Sequence, residues 1–148
     1  MGHIGLTYNT SGIGNTALGA FSLIVNSTGN LNTSVGKEAL RSNTTGNSNV
    51  AVGSAALYNS ISANGQTAIG DSSLFSVNNT FGRNTAVGSR ALKTTVTGQE
   101  NTAVGFEALR KITTGEYNVA VGGEAMSNTV TGINNTAVGG LALGNGTT

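Results

Sequence analysis

One motif, Asn-Thr-Ala-Val-Gly-x-x-Ala-Leu, returns along the whole chain, and so short a repeat leaves few folds open. Taking its glycine as a marker, it falls at Gly19, Gly36, Gly53, Gly70, Gly88, Gly105, Gly122 and Gly139. The spacing is 17 residues throughout, except for 18 between Gly70 and Gly88. Gly5, preceded by Ile4, reads as an earlier marker 14 residues before Gly19. A unit of this length is too short for a helix pair and too regular for an array of hairpins. It suits one turn of a coil.

The columns around the marker are narrow in chemistry. Directly before it stand Leu18, Val35, Val52, Ile69, Val87, Val104, Val121 and Val138. Two before it every residue is small: Ala17, Ser34, Ala51, Ala68, Ala86, Ala103, Ala120 and Ala137. Three before it come Thr or Val, with Val50 and Val119 replacing the usual threonine. Four after it come Leu23, Leu40, Leu57, Leu74, Leu92, Leu109, Met126 and Leu143. Thr-small-aliphatic is period-two alternation, the mark of a strand, and the glycines are turn signals.

An all-β parallel solenoid spanning 1–148 as a single repeat domain follows, with eight to nine coils of 17 residues. Each coil is expected to hold two short strands and two turns. Stacking at about 4.8 Å per coil gives a rod on the order of 40 Å long. The aliphatic column (Val35, Val52, Val87, Val104, Val121, Val138) and the leucine column (Leu40, Leu57, Leu92, Leu109) are expected to face each other in the core. Asn15, Asn32, Asn49, Asn84, Asn101, Asn118 and Asn135 are expected to form a stacked amide ladder, with Gln66 in the same slot. Because valine replaces threonine twice, the Thr column reads as a partly buried packing position. The irregular stretch is 58–84, where a second glycine slides to Gly65 and Gly82.

Composition supports a thin core continued along a stack. Only 9% of the chain is charged and 5% aromatic, so one compact core would be hard to fill. A formal charge of +1 without a basic cluster removes the electrostatic argument for nucleic acid. No apolar run is long enough to insert in a membrane, and the start lacks the regions of a signal peptide. With no cysteine, disulfide and thiolate-metal frameworks are excluded.

The repeat resembles the head-domain unit Asn-Ser-Val-Ala-Ile-Gly-x-x-Ser of YadA-like trimeric autotransporter adhesins, seen here as Asn118-Val119-Ala120-Val121-Gly122-x-x-Ala125. It is closer still to the Asn-Asn-Thr-Ala-Val-Gly-x-x-Ala-Leu repeats of phage tail fibres and related bacterial surface proteins, as in Asn134 to Leu143. The resemblance implies a left-handed parallel β-roll, three of them side by side as a trimer, and an extracellular, cell-surface or virion tail-fibre role in attachment. By the same resemblance Val119 and Val121 point into each roll, and the small Ala120 column allows close approach at the trimer axis. The period of 17 departs from the shorter adhesin repeat.

No catalytic, cofactor or metal constellation is expected, so the chain reads as non-enzymatic. His3 stands alone at the terminus and reads as a tag remnant or frayed end. Glu38, Glu107 and Glu124 share one slot along an edge, where solvated carboxylates outweigh a calcium bridge. Arg41, Lys93 and Arg110 share another and read as a solvated edge that discourages aggregation. Phe81, Phe106, Tyr58 and Tyr117 are candidate surface contacts, packing between protomers or stacking on sugars. The leading function is an adhesive or receptor-binding rod for a cell-surface glycan or protein. The alternative is a subunit that stacks end to end with itself into a filament. Ice binding needs a flat exposed threonine array, and the valines at 50 and 119 weigh against it.

Overall fold

The computed structural model describes residues 5–78 and 82–144. Eight three-residue strands, each the Thr-small-aliphatic triplet of one repeat, form a single parallel sheet in sequence order: β1 (Thr16–Leu18), β2 (Thr33–Val35), β3 (Val50–Val52), β4 (Thr67–Ile69), β5 (Thr85–Val87), β6 (Thr102–Val104), β7 (Val119–Val121) and β8 (Thr136–Val138). Register is exact: Thr16 pairs with Thr33, Ala17 with Ser34 and Leu18 with Val35, and so on to Val121 with Val138. The 18-residue step is absorbed without a slip, since Thr67 still pairs with Thr85. Seven full turns of a β-solenoid therefore separate the first strand from the last.

Each coil has one strand, not the two expected. The rest of it is a chain of turns, and these stack by backbone bonds of their own. The N–H of Leu23 donates to Ala39 O, that of Leu40 to Ala56 O and that of Leu109 to Ala125 O, at 2.9–3.0 Å. Running the other way, Glu38 N–H donates to Ala20 O and Glu124 N–H to Phe106 O. The residues two and four past each marker are left-handed, such as Glu38 (φ 59), Leu40 (φ 48), Ala55 (φ 54) and Leu57 (φ 53). That conformation is uncommon for residues with a Cβ. Here it turns their N–H groups along the rod axis onto neighbouring coils, and from Glu38 to Leu141 an inter-coil hydrogen bond offsets the strain.

The marker glycine has two reasons to be glycine. Its φ lies near +134° at Gly36, Gly70 and Gly122. A Cβ on Gly36 would also stand 2.6 Å from the carbonyl carbon of Gly53. Both the conformation and the space exclude other residues.

The core reverses one expectation. Alanines of the small column, including Ala51, Ala68, Ala86, Ala103 and Ala120, are fully buried and face inward. They pack on the leucine column and on a second alanine column, Ala39, Ala56, Ala91, Ala108 and Ala125. Leu40, Leu57, Leu92 and Leu109 are fully buried. Val35, Val52, Val87, Val104, Val121 and Val138 are not core: they stand on the opposite, outer face of the sheet with the threonines. Val104 and Val121 are 36% exposed and Val138 70%. The inward placement of Val119 and Val121 implied by the resemblance is overturned in the same way. The physical reason is width, because leucine and alanine from the turns fill the narrow coil and leave room for only a methyl group from the strand.

The first coil also differs from its expected register. Leu6 N–H donates to Ser22 O and Tyr8 N–H to Ile24 O, while Asn26 bonds Asn9. Leu6 therefore takes the leucine slot 17 residues before Leu23, and Gly5 is not a marker. Likewise, the second-glycine slot of its coil is filled by Ala63, whose carbonyl accepts the Asn49 amide as Gly46 O accepts that of Asn32. Gly65 sits two residues on, at a left-handed corner shared with Leu31 and Ser48.

Candidate functional site

With both inner faces filled, chemistry is confined to the surface, and the sheet gives that surface its one regular feature. Alternation along each strand sends Thr and the aliphatic residue outward together. The result is two parallel columns: Thr16, Thr33, Val50, Thr67, Thr85, Thr102, Val119 and Thr136 beside Leu18, Val35, Val52, Ile69, Val87, Val104, Val121 and Val138. The threonine column is half-buried to exposed and outward, rather than a packing position. Its six hydroxyls have no hydrogen-bond partner among the described residues, whereas hydroxyls of Thr10, Thr44, Thr94 and Thr113 all bond to backbone carbonyls of the next coil. No charged residue stands in either column.

Uniformity is what sets this face apart. Buried columns are uniform because packing demands it. The exposed slot just past the marker is not, holding Ala20, Lys37, Ser54, Asp71, Ser89, Phe106, Gly123 and Gly140. The outward Thr and aliphatic columns are as constrained as the core, although no described residue covers them.

Three amide ladders hold the coils in line. In the first, each Asn Oδ1 accepts both the backbone N–H and the side-chain amide of the next, as Asn101 does from Asn118 at 3.0 and 2.9 Å. The Asn101 amide in turn reaches Asn84 Oδ1 (3.2 Å) and Gly115 O (2.7 Å). Asn15, Asn32, Asn49, Asn84, Asn118 and Asn135 repeat the pattern, and Gln66 continues it, its backbone N–H donating to Asn49 Oδ1 and its Oε1 accepting from Asn84. The second ladder, Asn30–Asn47–Asn64, runs the other way, the Oδ1 of Asn47 and of Asn64 accepting the backbone N–H and side-chain amide of the preceding asparagine at 2.7–3.1 Å. The third links Asn9, Asn26 and Asn43 at 2.7–2.8 Å. These two were missed in the sequence although each recurs at 17 residues, because each occupies only three coils. Side-chain ladders of this kind favour a flat, little-twisted sheet.

The remaining candidates are scattered over the chain. Tyr58 stacks on Phe75, with ring centroids 5.0 Å apart, and its hydroxyl accepts from Arg41 Nη1 at 2.9 Å. Phe106 lies under the Arg90 guanidinium, 4.9 Å from the ring centroid, and is 45% exposed. Tyr117 is exposed at a left-handed corner. Phe81 and His3 fall outside the described residues. Glu107 pairs with Arg90 and Arg110 at 3.1 Å each, and Arg83 pairs with Glu100. Among the described residues no three acidic or histidine side chains cluster as metal ligands. No helix of the described chain is long and apolar enough to cross a membrane. An open depression lined by Asn47, Ser48, Asn64, Gly65 and Arg83 is a notch where two small corner residues lie between Leu31 and Arg83. The Asn47 amide donates to Asn64 Oδ1 in the second ladder, and the Asn64 amide to Ser62 O.

No protein-family model matches the chain, and neither a curated protein nor a solved structure matches it significantly.

Proposed function

We propose that the protein is a non-enzymatic attachment rod, a module of an extracellular or virion-surface fibre whose contact surface is the outer Thr/Val face of its sheet. The observation that carries this reading is the uniformity of an uncovered face across eight coils, beside a flanking slot that varies freely. The alanine column that the resemblance places at a trimer axis is buried inside each coil and leaves the Thr/Val face as the outward surface of the strands. Fluorescently labelled protein on cell, glycan and mineral surfaces tests the reading. Retention that is lost in Thr85→Lys supports it, while retention unchanged by that substitution argues against it.

A filament is the second reading. The outer edges of β1 and β8 pair with no strand among the described residues, and such edges template further pairing. Negative-stain images of concentrated protein separate the two: long fibres favour the filament, discrete short rods the attachment module.

A further inference from the structure

We infer that the Thr/Val face binds the surface of ice. This rests on the reading of that face as the attachment surface, and it names the ligand. Six unpartnered threonine hydroxyls stand in file, separated by the strand spacing of about 4.8 Å except where Val50 and Val119 take the slot. A parallel file of aliphatic side chains runs two residues along each strand, about 6.7 Å away. The array is free of charge, and side-chain ladders like those beneath it favour a flat sheet.

The ligand class follows by asking what such a face can recognise. A soluble sugar or small molecule is bound in a concave site by polar groups that converge on it. These hydroxyls diverge from a surface and repeat instead of converging. Crystalline polysaccharide would call for coplanar aromatic rings, and neither column has one; Phe106 and Tyr117 lie in flanking slots. A second copy gains little from this strip alone, because three-residue strands make it only about 10 Å wide, narrow for a stable interface.

A lattice of water fits each feature. Its oxygens repeat at a spacing close to that between strands, so hydroxyls in successive coils can occupy successive lattice positions. The methyl groups of valine and threonine order the water over them without competing for its hydrogen bonds. Val50 and Val119 each remove one hydroxyl from the file, which weighs against the array as the sequence suggests, but valine keeps the shape of threonine and so the contour of the face. Charge would bind disordered, hydrated counter-ions, and the face has none.

The test uses the whole chain and single ice crystals growing in its solution. The expected result is faceted crystals and a gap between melting and freezing points. Thr85→Lys, at the middle of the face, should lose most of that gap with an unchanged circular dichroism spectrum. Ser54→Lys, in the variable flanking slot, should keep it. Unfaceted growth with the unsubstituted chain overturns the inference, as does equal activity in Thr85→Lys or equal loss in Ser54→Lys. A sedimentation mass of several chains that falls to one in Thr85→Lys also overturns it, making the face an interface between copies. If the chain holds to a cell or glycan surface in a Thr85-dependent way yet leaves ice unshaped, this inference fails while the attachment rod stands. Silence in both assays removes both.

Discussion

One buried asparagine per coil satisfies groups on both of its neighbours. Removing the Asn101 side chain strands the backbone N–H of Asn118 and the carbonyl of Gly115, both in the interior. Asn101→Ala should cost about 2–4 kcal/mol, read from the urea midpoint. Asn101→Gln should cost clearly less, because Gln66 already fills this slot in the chain. The third ladder has a loose end. Asn43 Oδ1 and Ser60 Oγ are buried without a partner where the asparagines stop. The stop is coupled to Ala63: a Cβ in the equivalent slot of the preceding coil, at Gly46, would press on Asn43 Oδ1. Ser60→Asn with Ala63→Gly should extend the ladder and raise stability by about 1 kcal/mol, whereas Ser60→Asn alone should not. A double-mutant cycle in urea reads the coupling.

At the scale of the coil, the turns determine what the strand can do. Left-handed corners carry inter-coil hydrogen bonds, so relieving their strain without losing the bond should help. Ala55→Gly is expected to leave stability unchanged or raise it by about 0.5–1 kcal/mol. Gly53→Ala, two residues away, should cost about 3 kcal/mol or more, with φ +133 and a Cβ 2.6 Å from the carbonyl carbon of Gly70. Thermal unfolding of the pair separates them cleanly. The period, the leucine column and the first ladder were legible because each is a chemical identity recurring at a fixed interval. Strand direction was not. Alternation groups Thr with Val and sets Ala against them, but hydrophobicity alone sends the valine inward. Interior width sends it outward, and width is fixed by Leu57 and Ala56 in the turns, not by the strand. Two signals pointed the right way: the all-small column is the tightest in volume, and the valine shares its face with a polar threonine. The outer face was therefore invisible as a site until the coil was closed.

For the whole molecule, each coil touches only its neighbours, so the rod should be modular. Deleting 102–118 joins Asn101 to Val119 and preserves every slot, since each asparagine is followed by the first strand residue. The shortened chain should fold, lose about 4.8 Å in length by small-angle scattering, and show a proportionally smaller denaturant dependence. The fold turns on one placement, the small residue of each strand facing in. The chain has no cysteine, so single cysteines at Thr102, Ala103 and Val104 give an unambiguous reading by thiol labelling. Cysteines at 102 and 104 should label rapidly in the folded protein, and the one at 103 only after unfolding. Rapid labelling at 103 with protection at 104 would contradict it, placing the valines inside and the alanines on the surface.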